Sequence, residues 1–241
     1  MKFALAVSAV LFAAAGAVSQ ANAAIITGSA LATQADAAQL EGWLAQGNIA
    51  LSNIFTKKSG DNSTNLHQAI DGKGATFTLM QVTDMYGVTS IIGGYNPQSW
   101  NSNSGYTMNS NVADRTGFLF NLTTDTIQRQ ALQAYSSQWG MVDGGLYQTY
   151  NYGSYGPSFG GGHDLYVYGN LNNGSAYAFS YGGNYGLSNI FGRANGTGFQ
   201  VTGLEVFTVA QQVAVVPEPT SIALFGIALC GLFGLQRRRA K

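Results

Sequence analysis

From about residue 75 onward, apolar and polar positions alternate with the period of a β-strand, whereas the stretch before it carries the period of a helix. Asp36-Ala37-Ala38-Gln39 has capping-box spacing, and Leu40, Trp43 and Leu44 follow at i, i+3 and i+4. This predicts one helix of about three turns, with Gly47 as its C-cap. A second short helix is predicted over 65–70, ended by Asp71-Gly72. Half-buried strands are predicted around Phe77 and Leu79, over 88–92, and around Phe118, Phe120 and Leu122. Leu165 and Val167 alternate with Tyr166 and Tyr168 in the same way. Phe199 and Val201 keep phase until Gly203, after which it slips to Leu204 and Val206, so a bulge is expected at Thr202-Gly203. Turn clusters fall between these runs, at Asn96-Pro97, at Ser102-Asn103-Ser104-Gly105 and at Gly160-Gly161-Gly162. The pattern predicts a mainly β fold, a β-sandwich with a few helices at one end.

The stretch 147–185 is rich in Tyr, Gly, Asn and Ser. Such composition suits low complexity or cross-β stacking, but the alternation over 165–171 argues for folded strands. Composition points the same way. Only 9% of the 241 residues are charged, while 32 glycines, 13 tyrosines and 13 phenylalanines favour a turn-rich β domain over disorder. Residues 24–216 hold six bases and ten acids, a net charge of −4. A mildly acidic body argues against a nucleic-acid partner, which needs a basic patch. The single cysteine, Cys230, lies in the C-terminal apolar run, so the body has neither a disulfide nor a thiol metal site.

The two ends read as processing signals. Lys2, an apolar run over 3–18 and the small-residue site at Ala21 and Ala23 predict a signal peptide over 1–23. A lead-in and helix start over 24–39 follow, then the body over 40–210 and a terminal segment over 211–241. In that segment Pro217, Glu218 and Pro219 precede a charge-free run of 15 residues, 221–235. As a helix the run spans ~22 Å, short of a ~30 Å hydrocarbon core. The basic tail 237–241, with Arg237, Arg238 and Arg239, sets that end on the cytoplasmic side and the body outside.

The ordered triplet of a V-P-E-P motif, a short apolar helix and a terminal arginine cluster resembles the PEP-CTERM sorting signal. That resemblance implies processing by an exosortase near Pro217-Glu218-Pro219, transient membrane insertion through 221–235, and release to the cell surface or extracellular matrix in company with exopolysaccharide or other surface proteins. A plain transmembrane tail anchor is the alternative.

The body resembles the TLD (TBC/LysM-associated, TLDc) domain in five ordered pieces. The first is NLHQAIDGKGATFTLMQ; the second, IIGGYNPQSWNS, holds Gly93, Gly94, Tyr95 and Trp100. GFLFNL holds Phe118 and Phe120, and GPSFGGGHDLYVYG holds Pro157, Phe159, Gly160 and Asp164. FQVTGLEVFTV holds Glu205 and Phe207. The resemblance implies two packed antiparallel sheets with flanking helices, and it gives these positions structural rather than catalytic roles. Eukaryotic members are linked to oxidation resistance, which makes oxidative-stress protection one expectation.

Candidate chemistry is sparse. The body has two histidines, and the neighbours His163 and Asp164 would point to opposite faces of a strand. No nucleophile-elbow, zincin or EF-hand spacing occurs. No catalytic, cofactor-binding or metal residue is therefore assigned, although Asp143, Asp164 and Glu205 would serve a glycan-acting enzyme if they met in space. The leading expectation is an exported, noncatalytic interaction or structural component whose tyrosines stack on sugars while Asn and Ser bond hydroxyls.

Overall fold

The computed structural model describes residues 24–137, 140–182 and 188–212. The expected signal peptide, cleavage site, sorting motif and apolar helix 221–235 lie outside them. Among the described residues no helix is long and apolar enough to cross a membrane.

The chain opens with β1 (Ile25–Thr27), α1 (Gln34–Leu44), β2 (Ile49–Thr56) and α2 (Ser63–Ile70). It continues with β3 (Thr76–Asp84), β4 (Thr89–Asn96), β5 (Gly105–Met108), β6 (Phe118–Asn121) and β7 (Thr126–Arg129). A short hairpin of β8 (Tyr135–Ser137) and β9 (Gly140–Val142) precedes β10 (Tyr147–Asn151) and β11 (Ser158–Phe159). The last strands are β12 (Leu165–Val167), β13 (Asn173–Ala176) and β14 (Thr197–Gln211).

Both helices form where expected but start and stop differently. Thr33 caps α1, because its hydroxyl accepts from the Asp36 N–H while the Asp36 carboxylate accepts from the Thr33 N–H. Asp36 is thus the third helical residue of the box and not its first member. The helix ends at Ala45, in left-handed conformation, and Gly47 lies in the following turn. The Asn62 side chain caps α2, three residues earlier than the predicted start at Asn65.

Among the described residues the fold is mainly β and its strands pair antiparallel, except β1 with β2; an isolated parallel bridge joins Asp71 and Trp100. The two packed antiparallel sheets that the resemblance implies are joined through hydrogen bonds into one network of 12 strands, ordered β5-β10-β11-β12-β13-β14-β3-β4-β6-β7, with β2 and β1 attached along β14. Its two ends pack face to face where Gln148 of β10 bonds Asn96 of β4. The expected bulge explains this. The register of β14 against β3 shifts between Val201 and Gly203, so one edge of the strand meets β13 before the shift and β2 after it.

The centre of the sheet is buried on both faces, where half-buried strands were expected. On one face Phe77, Leu79, Tyr95, Phe118, Phe120 and Phe207 pack with Leu40 and Leu44 of α1. On the other, Met80, Val82, Leu204 and Val206 pack with Leu66 and Ile70 of α2 and with Trp100, Phe159, Leu165 and Val167. The adjacent glycines of β4 belong to opposite faces. A Cβ on Gly93 would meet the Thr78 carbonyl at 1.9 Å, and one on Gly94 would meet the Phe159 ring at 2.6 Å. These positions therefore take no side chain.

Candidate functional site

Across β5, β10 and β12 the outward side chains are aromatic rings, while the inward ones are polar on β10 and apolar, Leu165 and Val167, on β12. Gln148, Thr149 and Asn151 of β10 are buried, and the Gln148 amide donates to Asn96 Oδ1 at 2.8 Å. Tyr147 and Tyr150 remain half-buried, and Tyr150 stands opposite Tyr106 of β5. A row of rings results, whose successive centroids are 5.0 Å apart for Tyr168–Tyr166, 4.9 Å for Tyr166–His163 and 5.2 Å for His163–Tyr150. It continues 4.5 Å to Tyr106 and 5.1 Å further to Tyr147. The row runs along β12 from Tyr168 to Tyr166, passes through the turn at His163, and then crosses between β10 and β5. Tyr152 and Tyr155 flank it, the former stacked on Tyr150 at 6.0 Å.

Burial, followed by the neighbouring phenols, raises the Tyr106 hydroxyl, and the same causes push Tyr166 up to about 12. Burial holds His163 below the ordinary imidazole value against a backbone bond with Gly161. His163 takes positive φ (58°) in the turn after β11, and Tyr106 Oη donates to the Gly161 carbonyl beside it at 3.1 Å.

At its Tyr168 end the row opens into a groove of about 590 Å³. Thr83, Tyr168, Asn173, Ser175, Gly198 and Gln200 are among its lining residues. By alternation Thr83 follows Phe77 and Leu79 on the same face of β3, so a face covered at the centre of the sheet is open here.

The three acids singled out from sequence are not brought into one group. Asp143 accepts two bonds from Arg115, at 2.7 and 2.6 Å. Glu205 is buried and accepts from the Ser29 hydroxyl at 2.7 Å and the Ala30 N–H at 2.8 Å. Asp164 is fully buried, and its Oδ2 accepts from the N–H groups of Phe179, Ser180 and Tyr181 at 2.6, 2.8 and 3.0 Å. Burial pushes its carboxyl up to about 7 against those donors. Gly160, at φ +83°, lies where a Cβ would meet Asp164 Oδ1 at 2.0 Å, which ties two motif positions to one turn. His163 and Asp164 do diverge, but from a turn and not from a strand, since β12 begins at Leu165.

His67 is buried between Asp71 Oδ1 (2.8 Å from Nδ1) and the Tyr155 carbonyl (3.1 Å from Nε2), which fastens α2 beneath the tyrosine row. Together with Asp71 and Ser102 it lines a second cleft, of about 420 Å³. Among the described residues no three His, Cys, Asp or Glu side chains stand close enough to hold a metal ion. Among the motif positions, Trp100 and Phe159 pack edge to face at 5.3 Å, and the Trp100 indole donates to Thr76 Oγ1 at 2.9 Å.

A mainly antiparallel sheet with helices on its two faces and a set of structural glycines and aromatics defines the class of protein. Residues 25–210 match the TLDc domain model, and the chain belongs to that family. Residues 215–239 match the PEP-CTERM protein-sorting motif. The protein is accordingly an exosortase-sorted, exported surface protein with a TLDc domain. No curated protein matches the chain.

Proposed function

We propose that this protein is a noncatalytic component of the cell surface or extracellular matrix that holds exopolysaccharide on its tyrosine face. In this reading the signal peptide is removed after Ala23, and exosortase acts near Pro217-Glu218-Pro219 while Arg237, Arg238 and Arg239 hold the tail at the cytoplasmic side. The observation that carries the reading is the outward row of seven tyrosines and His163, whose rings touch one another with no Asp, Glu, Lys or Arg among them. Ring faces flanked by hydroxyls and amides suit the apolar faces and hydroxyl edges of sugars. The motif positions from Gly93 to Phe207 hold the scaffold under that face.

The exported protein should be retained by immobilised extracellular polysaccharide, and a Tyr106→Ala, Tyr152→Ala variant should lose most of that retention. A folded double variant retained as strongly as the parent would overturn the reading.

A further inference from the structure

The tyrosine row explains stacking but not selection, because every pyranose offers an apolar face. The groove at its end supplies what the row lacks. The Asn173 side chain, half-buried, and the Gln200 side chain, exposed, make no hydrogen bond to any described residue, so both amides are free to meet a ligand. Tyr168, 40% exposed, forms one wall, and its hydroxyl pairs with Ser175 Oγ at 3.0 Å. The floor at Gly198 is bare, since a Cβ there would meet nothing nearer than the Gly174 carbonyl at 4.0 Å. At about 590 Å³ the space falls within the ~300–1,000 Å³ of small-ligand clefts.

Charge narrows the ligand class. The one acid in the lining, Asp84, is buried, and its carboxylate accepts from the N–H groups of Tyr86 and Val88 and from Arg193 Nε, each at 2.9 Å. The Arg193 guanidinium in turn covers the Tyr86 ring at 4.3 Å. The Asp84 carboxylate is thus fully engaged, and Arg193, like Lys57, Lys58, Lys73, Arg115 and Arg129, is absent from the lining. A polyuronate or sulfated chain would bring charges into a site without a counter-ion, at the cost of their desolvation.

We infer that the groove beside Tyr168 is a hydroxyl-reading subsite, continuous with the tyrosine row, that selects an uncharged polysaccharide lying along that row. Asn173 and Gln200 are its specificity residues, and Gly198 is the opening that admits the sugar. This rests on the proposed glycan-binding role and adds the ligand class and the residues that read it.

The test is affinity electrophoresis of the exported protein through gels holding a neutral β-glucan, a neutral galactomannan or a polygalacturonate. At least one neutral polymer should retard the parent protein, unaffected by added salt, and the polyuronate should not. Gly198→Leu fills open space at an ordinary strand position, so it should fold with an unchanged melting temperature while weakening retardation about tenfold, as should Asn173→Ala with Gln200→Ala. If Tyr106→Ala abolishes retardation but the Gly198→Leu and amide variants behave as the parent, the subsite is wrong and the stacking row stands. Equal retardation by the polyuronate overturns the neutral class alone. No retardation by either neutral polymer removes both readings.

Discussion

Two aromatic clusters of similar internal spacing occupy the same sheet and meet opposite environments. In the first, around β3, β4 and β6, Phe77 stands 5.0 Å from Tyr95, 5.8 Å from Phe118 and 6.0 Å from Phe120, and all four rings are buried. In the second, across β5, β10 and β12, centroid steps of 4.5 to 5.2 Å join rings that all keep contact with solvent. Phenylalanine dominates the first and tyrosine makes up the second. A phenolic hydroxyl left unpaired in a core costs a hydrogen bond, whereas at a surface it is satisfied by water or a ligand. Among the described residues the one fully buried tyrosine, Tyr181, donates to the Gln148 carbonyl at 2.7 Å and so meets the same requirement inside. Ring contact alone therefore does not separate core from site; the placement of the hydroxyl does.

The contrast is broken most severely by emptying the buried cluster. Phe77→Ala removes the ring common to three aromatic contacts and should cost about 3–5 kcal/mol, read as a lower denaturant midpoint at unchanged m-value. A loss below about 1 kcal/mol would mean that the cluster is not the core described here. Overfilling should cost less. Gly94→Ala presses a methyl group on the Phe159 ring, where a Cβ falls at 2.6 Å, and a penalty of about 1–3 kcal/mol is expected by the same measurement. Gly198→Leu, on the open part of the sheet, is the matched control and should show none.

Three acids with shifted carboxyls respond to pH with opposite sign, the buried Asp84 and half-buried Asp71 in one sense and the fully buried Asp164 in the other. For Asp84 and Asp71, burial raises the carboxyl, but hydrogen bonds from Val88, Tyr86 and Arg193 in one case and from His67 and Ser102 in the other outweigh it, so both sit below the ordinary value. Their contribution is present above about pH 4 and is lost as the pH falls through the folded value. Asp164 is raised to about 7, so its contribution is complete below the unfolded value and is lost as the pH rises through about 7. From pH 5 to 7 Asp164 should therefore lower thermal stability as the pH rises, against the opposite contribution of His163, and Asp164→Asn should make the slope of stability with pH more positive than in the parent. A variant whose slope matches the parent would locate the pH dependence elsewhere.

How much of this was legible follows from where hydrophobic periodicity coincides with burial. Leu165 and Val167 point inward as their alternation predicts, and the slip at Thr202-Gly203 is the shift that lets β14 serve both β13 and β2. The alternation expected to reach Leu171 stops at Val167, because Leu171 is buried in a turn at φ 56°. Strand β10 was invisible for a physical reason: its inward residues are Gln148, Thr149 and Asn151, held by side-chain bonds, so an apolar period had nothing to register. Tyr106 escaped notice likewise, since only the pairing of β5 with β10 sets it beside Tyr150. The tyrosine-rich composition marks most of the stretch that carries the ring row, but the groove draws residues from β3, β13 and β14, which are far apart in sequence.

The smallest stability effect belongs to the exposed cluster, where it sharpens the contrast most. Tyr152 is 51% exposed and stacks on Tyr150 at an interplanar angle of 21°. Its ring makes no hydrogen bond to a described residue, so Tyr152→Ala removes surface contact and leaves no buried group unpaired. The change should shift unfolding by no more than about 0.5 kcal/mol, against about 3–5 kcal/mol for the buried Phe77. Tyr152→Phe separates ring from hydroxyl: it keeps the stacking surface and should retain polysaccharide retention that Tyr152→Ala weakens, with melting temperatures alike in both. If Tyr152→Phe loses retention as fully as Tyr152→Ala, the hydroxyl and not the ring face makes the contact. If Tyr152→Ala instead destabilises the protein as much as Phe77→Ala does, this ring belongs to the scaffold and the division between the two clusters fails at its clearest point.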